Sequence, residues 1–81
     1  MRYKIHLAKE LQMPFGINQS AEREFVGTIE ATDLDEAFML SQNDFGTEYR
    51  KFGKRSSCVG DMFEDEKGKC FYVMSFGFKE K

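Results

Sequence analysis

The stretch that decides the fold is Ser57-Cys58-Val59-Gly60-Asp61-Met62-Phe63, followed by Lys67-Gly68-Lys69 and Phe71-Tyr72-Val73-Met74-Ser75-Phe76-Gly77-Phe78. Short apolar runs separated by glycine-containing turns are typical of β-strands in tight connections. This pattern predicts a strand, a turn, a two-stranded hairpin and an aromatic segment that continues or follows the last strand. These elements span, in that order, Arg55–Val59, Gly60-Asp61, the pair Met62–Asp65 and Cys70–Met74, and Phe76-Gly77-Phe78.

The N-terminal half adds two strands and one helix. Tyr3, Ile5 and Leu7 alternate with polar residues, and residues 23–31 repeat that alternation, as half-buried strands do. A helix begins at Thr32 or Asp33, because either can cap it and acidic residues follow. Leu34, Ala37, Phe38 and Ser41 form one apolar stripe, and the helix ends near Asn43.

Together these elements predict one α+β domain over residues 1–81. We expect a single, mostly antiparallel β-sheet of about five strands with one helix packed on one face, in the order strand–strand–helix–strand–strand–strand. Which face of the last strand meets the helix stays open, because both sets of its side chains can be buried. The predicted core comprises Tyr3, Ile5, Leu7, Phe25, Ile29, Leu34, Ala37, Phe38, Val59, Phe71 and Val73.

Charge and hydropathy exclude several classes of protein. The formal net charge is −2, from 14 acidic and 12 basic residues, whereas nucleic-acid-binding proteins usually carry a clear basic excess. Residues 1–7 alternate in polarity and lack the apolar core of a signal peptide. No run approaches the roughly 18 apolar residues that a membrane span requires. We therefore expect a cytoplasmic protein that does not enter a membrane.

No residue set indicates a reaction, a metal or a cofactor. Cys58 and Cys70 are expected in separate strands as reduced thiols, although a cross-strand disulfide or a metal site stays open. His6 lacks a predicted nucleophile or orienting carboxylate, so we expect an exposed, non-catalytic histidine. The acidic cluster of Asp61 and residues 64–66 lacks the calcium-loop pattern and is expected as a solvated turn. The sequence predicts a protein that is not an enzyme.

Two aromatic clusters are candidate partner sites. The first lies in the connection 9–22, whose length exceeds that of ordinary hairpin loops. The second interleaves aromatic and basic residues, which could stack bases and pair phosphates. For both clusters the alternative is packing into the core. Their residues are Leu11, Met13, Phe15 and Ile17 in the first, and Phe45, Tyr49, Arg50, Lys51, Phe52, Lys54 and Arg55 in the second.

The segment Arg55-Ser56-Ser57-Cys58-Val59-Gly60-Asp61-Met62 resembles an R-S-x-S-V-G-D-V element of short phage and plasmid proteins of the YodL-like kind. In those proteins a glycine turn, a Y-x-V strand and a terminal S-F-G-F follow. The matching residues here are Gly68, Tyr72-Val73 and Ser75-Phe76-Gly77-Phe78. The cysteine and the methionine of the first segment depart from the element. The resemblance is confined to residues 55–78, implies origin on a mobile element and a β-rich ending, and transfers no catalytic residue.

These observations predict a small phage or mobile-element protein that acts by protein–protein binding. The expected partner is a host or competing-element protein, and the expected effect is inhibition of a host or anti-phage defence protein, as anti-CRISPR-like proteins do. The alternative is a nucleic-acid-binding accessory protein that uses residues 49–55. The sequence also leaves a homodimer open.

Overall fold

The computed structural model describes residues 1–10, 21–43 and 47–81. The described strands form one open antiparallel sheet in the order β2-β1-β3-β4-β5. The predicted five-stranded antiparallel sheet is thereby confirmed, and two helices accompany it within the described residues. In chain order the elements are β1 (Arg2–Ala8), β2 (Arg23–Glu30), α1 (Leu34–Leu40), α2 (Thr47–Arg50), β3 (Met62–Glu64), β4 (Cys70–Val73) and β5 (Phe78–Glu80).

A β-bulge in β2 sets which side chains enter the core. Ile5 pairs with Gly27, but His6 pairs with Phe25, so Val26 is an extra residue on β2. Side chains along a strand point alternately to the two faces of the sheet. The extra residue of a bulge shifts this alternation by one position, so residues beyond the bulge change faces. Phe25 therefore lies on the face of His6 and is 53% exposed. The prediction that Phe25 belongs to the core was wrong for this reason.

The C-terminal strands form a meander that agrees with the predicted hairpin. Phe63 of β3 pairs with Phe71 of β4, and the backbone N–H of Asp65 donates to the carbonyl of Lys69 across the turn. The aromatic segment after β4 makes a second turn, in which the N–H of Met74 donates to the carbonyl of Gly77 at 3.0 Å. Strand β5 then returns along β4 and forms one edge of the sheet.

The helix α1 begins where its acidic cap residue predicts. The carboxylate of Asp33 accepts a hydrogen bond from the N–H of Glu36 at 2.8 Å, and the carboxylate of Glu36 accepts one from the N–H of Thr32. These bonds satisfy backbone donors that a helix start leaves without partners. The helical residues end at Leu40, before the predicted end near Asn43.

The predicted strand Arg55–Val59 was wrong, because this segment hydrogen-bonds to the end of α1 instead of to a neighbouring strand. The N–H of Ser57 donates to the carbonyl of Ser41, and the two hydroxyl groups share a short hydrogen bond. The amide of Gln42 donates to the carbonyl of Ser57 at 3.0 Å. Cys58 therefore lies in a loop, whereas Cys70 lies in β4, and both are free thiols.

The core contains most of the predicted apolar residues and several others. Among the predicted residues, Leu34 and Phe38 are partly buried against the cluster, and Val59 and Phe71 are also only partly buried. The predicted core did not include Tyr49, Phe63 or Tyr72, each of which is almost fully buried, and for Tyr49 the structure agrees with the core-packing alternative. The predicted residues that are buried are Tyr3, Ile5, Leu7, Ile29, Ala37 and Val73.

Candidate functional site

Five of the predicted partner-binding residues lie outside the described residues. They are Leu11, Met13, Phe15 and Ile17 of the long connection and Phe45 of the second cluster. Their proposed role therefore stays a prediction. The remaining six predicted residues are described, and all lie between positions 49 and 55.

The two described aromatic side chains of the second cluster, Tyr49 and Phe52, pack against the interior of the protein. Tyr49 is fully buried, and its hydroxyl donates a short hydrogen bond to the carbonyl of Arg55. Burial raises the pKa of Tyr49 to about 12. Phe52 packs edge-to-face on Tyr49, with ring centroids 5.7 Å apart, and contacts the core. The buried Tyr49 ring is therefore not available for stacking on bases, while Phe52 is partly buried and Phe45 lies outside the described residues, so stacking stays a prediction.

Three of the four cations in this segment have acidic partners. Lys51 lies 3.3 Å from Glu48, and Lys54 lies 2.7 Å from Glu24, whose pKa the Lys54 hydrogen bond lowers. Arg55 pairs with a buried carboxylate, as described next, while Arg50 is exposed. Arg50 is therefore the cation of this segment without a described acidic partner, and the nucleic-acid alternative stays a prediction.

Asp61 and Arg55 form a clamp across the sheet end. Two guanidinium nitrogens of Arg55 donate to the two carboxylate oxygens of Asp61, each at 2.8 Å, and Arg55 also donates to the carbonyl of Ala8. The fully buried Asp61 further accepts from the N–H groups of Ala8 and Cys58, both at 2.7 Å. Asp61 is thus not part of a solvated turn, and that prediction was wrong for this residue.

The thiol of Cys58, which lies next to this ion pair, has a raised pKa. Cys58 is partly buried, and burial, followed by the charge of Asp61, raises the pKa of its thiol. A raised thiol pKa lowers the fraction of nucleophilic thiolate at neutral pH. Burial likewise raises the pKa of the Cys70 thiol. Neither cysteine has the environment of a reactive nucleophile, and the clamp serves to hold the fold.

His6 has a carboxylate partner that the sequence did not reveal. Its Nε2 lies 3.1 Å from an oxygen of Glu64, and its ring lies 5.5 Å from the ring of Phe25. The histidine side chain is 18% exposed, so the prediction of an exposed histidine was wrong. The register places His6 beside Met62 of β3, which makes Glu64 a diagonal neighbour on the same face. Cys70 of β4 pairs with Glu64 in the sheet register, and burial, followed by the charge of Glu64, raises the pKa of its thiol.

An apolar groove lies where α1, the loop before β3 and the β4–β5 turn meet. Its volume is about 220 Å³, and most of its lining is apolar. Asp35 of α1 is the charged residue at its rim. The lining residues are Asp35, Phe38, Val59, Val73, Met74, Ser75, Gly77 and Phe78.

Phe76 stands beside this groove and is 96% exposed. Its two neighbours in the chain, Ser75 and Gly77, line the groove, so the ring projects from the groove's own rim. The turn depends on Gly77, whose φ of 75° is a conformation that glycine adopts at little cost. We call the groove and Phe76 together the groove patch.

Sequence reasoning missed the groove patch because it expected residues 76–78 to continue or follow the last strand and did not identify a turn with Phe76 at its tip. The available signal was the Ser-Phe-Gly order of residues 75–77, since serine and glycine favour turns and a turn exposes the residue at its tip. An exposed phenyl ring costs free energy in water, so a ring this exposed beside an apolar groove indicates a contact surface.

The described residues hold neither a metal-binding cluster nor a membrane-spanning helix. Among residues 1–10, 21–43 and 47–81, no three His, Cys, Asp or Glu side chains come close enough together to hold a metal ion. Neither of the described helices has the length and apolar character needed to cross a membrane. In comparisons with known proteins, no family model, no curated protein and no solved structure matches this chain.

Proposed function

We propose that this protein acts by binding another protein through the groove patch. The observation that carries the proposal is the 96% exposure of Phe76 at the rim of an apolar groove. Phenylalanine and methionine are enriched at the centres of protein interfaces, and Phe76 and Met74 lie together here. The groove lining is mostly apolar, with Asp35 and Ser75 as its polar side chains.

The effect of binding is proposed from the sequence resemblance. Residues 55–78 resemble a segment of short phage and plasmid proteins. This resemblance implies that the protein originates from a mobile element. We propose that the partner is a host or competing-element protein in the cytoplasm, and that binding inhibits it. An anti-phage defence protein is the partner class we favour, because a protein this small blocks a partner by occupying its surface.

We also infer that α1 and α2 cover one face of the sheet. Ala37 of α1 and Tyr49 of α2 are both fully buried in one cluster with Ile5 and Ile29. The pairing register places Ile5 on the face opposite His6. In this arrangement no helix of the described residues covers the face of His6 and Phe25, and the groove patch lies at the end of the covered face.

The binding proposal is tested by capture from bacterial lysate, with and without phage infection. Immobilised protein is expected to retain a stoichiometric partner, and Phe76→Ser is expected to reduce recovery because the ring is the central anchor. Phe25→Ser is the matched control, since it removes an exposed phenyl ring from the other face of the sheet. Equal recovery by wild type and Phe76→Ser would exclude the groove patch as the contact surface.

Inhibition is tested separately by expression in a defended host. The wild-type protein is expected to restore phage plating, Phe25→Ser to behave like it, and Phe76→Ser to lose the effect. Restoration of plating by Phe76→Ser at equal protein levels would contradict the assignment of the surface.

A further inference from the structure

We propose that the groove binds a protein segment in which an apolar side chain stands next to a lysine or an arginine. The apolar side chain enters the groove, and the cation pairs with the carboxylate of Asp35 at the rim. This inference rests on the proposed function and deepens it, because it names the chemistry that the partner presents to this surface.

The groove gathers apolar side chains that the fold leaves partly open to solvent. Phe38 of α1 and Phe78 of β5 both line it, and their rings meet edge-to-face with centroids 6.5 Å apart. Val59 and Met74 line it as well, and all four residues are only partly buried. Apolar side chains that form a contiguous patch at the surface mark contact sites. The groove therefore favours an apolar group from a partner.

The size of the groove limits what can enter it. Its volume of about 220 Å³ exceeds that of an engineered apolar cavity of about 150 Å³ that holds benzene. Pockets for drug-sized ligands and cofactors begin at about 300 Å³. The expected occupant is therefore one side chain of the size of phenylalanine or leucine.

Asp35 gives the groove its charge preference. It is exposed, it is the charged residue of the groove lining, and no ion pair within the described residues includes its carboxylate. The neighbouring acids of α1 are engaged at the start of the helix. Asp33 accepts from the N–H of Glu36, and Glu36 accepts from the N–H of Thr32. The carboxylate of Asp35 therefore remains for a cation of the partner.

The lysine of β5 does not neutralise this rim. Val73 and Phe78, which line the groove, pair with each other in the β4–β5 register. Lys79 pairs with Tyr72, one position along each strand. Because successive side chains of a strand point to opposite faces, Lys79 lies on the sheet face away from the groove. The groove thus combines apolar surface with negative charge, which favours a partner cation and disfavours a partner anion.

The first test uses small probes that share a benzyl group and differ in charge, namely benzylammonium, benzyl alcohol and phenylacetate. Each is titrated at neutral pH and low salt into purified, isotope-labelled protein, and amide shifts report the site and the affinity. All are expected to shift the groove lining. Benzylammonium is expected to bind about two- to fivefold more tightly than benzyl alcohol, the scale of an exposed ion pair, and phenylacetate most weakly.

Several outcomes of this titration would overturn the proposal. Equal affinity for benzylammonium and benzyl alcohol would show that charge at the rim does not matter. Tighter binding of phenylacetate would indicate a partner that presents an acidic residue instead. Amide shifts that are absent from the groove lining would show that the groove does not accept an apolar group of this size.

Asp35→Asn tests the source of the preference, because it removes the charge and keeps the shape of an exposed side chain. The variant is expected to bind benzylammonium and benzyl alcohol alike, with the affinity for the alcohol unchanged. Glu48→Gln is the matched control, since it changes the net charge equally at an exposed position of α2 outside the groove lining. It should keep the preference. A preference that survives in Asp35→Asn contradicts the proposal.

Failure of this inference can be told apart from failure of the proposed function. If the probes show no preference for the cation while Phe76→Ser still loses a partner captured from lysate, the contact surface stands and its proposed chemistry is wrong. If the probes follow the expected order but no partner is captured, the ligand preference of the groove is supported and the proposed function is overturned.

Discussion

Asp61 stabilises more of the structure than any other described carboxylate, because one side chain joins two distant backbone segments and a cation. Its oxygens accept from the N–H of Ala8, which is 53 residues away in sequence, as well as from Cys58 and Arg55. A buried carboxylate that loses its cation, or a cation that loses its carboxylate, is left with an uncompensated desolvation cost. The pair is therefore a point of vulnerability.

We expect Asp61→Asn to lower the free energy of unfolding by about 3–5 kcal/mol, the cost of breaking a buried ion pair. The substituted amide keeps the shape of the side chain but turns one acceptor into a donor that faces Arg55. Chemical denaturation with unchanged m-value measures the loss.

The matched control is Glu80→Gln, which makes the same chemical change at an exposed position of β5. It should alter stability by about 0.5 kcal/mol or less. Arg55→Lys should lie between the two, because lysine keeps the charge but loses the bidentate geometry. Equal stability of Asp61→Asn and Glu80→Gln would show that the clamp contributes nothing.

Sequence reasoning could not identify this role for Asp61. The residue stands in an acidic run with a glycine before it, and local composition alone predicts an exposed turn. Its burial is decided by Ala8 and Arg55, which the fold brings to it. The same limit applies to His6, whose carboxylate partner comes from β3. Local patterns predict what a residue prefers, while long-range contacts decide which partner it meets.

Among the elements, the bulge in β2 has the widest effect on the interior. At Gly27 the backbone approaches Phe52 so closely that a Cβ atom would lie 2.7 Å from Cε1 of that ring and closer to two other ring atoms. The ring is confined by its edge-to-face contact with Tyr49. The missing side chain at position 27 thus makes room for the segment that follows α2.

We expect Gly27→Ala to destabilise the protein by about 1–3 kcal/mol through overpacking against Phe52. The measurement is chemical denaturation in two backgrounds, wild type and Phe52→Leu. If the ring is the cause, the penalty for Gly27→Ala should shrink in the Phe52→Leu background, since contacting residues are not additive. An equal penalty in both backgrounds would assign the effect to the backbone instead.

At this scale the sequence predicts the regular elements well and the irregular ones poorly. Alternation located β1, β2 and the β3–β4 hairpin, and the acidic cap located α1. Residues 55–59 also have strand-like composition, yet their donors and acceptors are taken by Ser41, Gln42 and Asp61. Hydrogen bonds of this kind are not reflected in the hydrophobic periodicity of the sequence, so that periodicity cannot predict them.

For the whole molecule, the distribution of charge bears on the alternative function. The net charge is −2, and most cations of the segment 49–55 are paired with acids. Binding to nucleic acid gains free energy mainly by releasing counterions as free cations neutralise phosphates. Within segment 49–55, Arg50 is the cation without a described acidic partner.

We therefore expect no retardation of labelled single-stranded DNA or RNA in gel-shift assays at low salt. A protein with a clustered basic surface, run beside it, provides the positive control. A retarded band that disappears both at higher salt and in the double variant Arg50→Ala, Lys51→Ala would instead revive the nucleic-acid alternative.

The candidate site was less predictable than the sheet. The sequence marked segments 9–22 and 45–55 as candidates for partner contact, with packing into the core as the alternative. In the described part of the second segment Tyr49 is buried and Phe52 partly buried, and the most exposed described ring is Phe76. Which aromatic residues remain outside depends on how the whole chain packs, so composition alone gives their number but not their positions.

The central position of β1 has a consequence for the order of events during synthesis. Lys4 pairs with Thr28 on one side and with Glu64 on the other, so β1 meets its second neighbour only after most of the chain has been made. Until then the nascent chain carries an unpaired strand edge, the kind of surface that recruits other chains. The hydrogen bond from the N–H of Ala8 to the carboxylate of Asp61 is delayed in the same way. Because these pairings join residues far apart in sequence and form late, we expect them to be the folding step most sensitive to slow or interrupted translation.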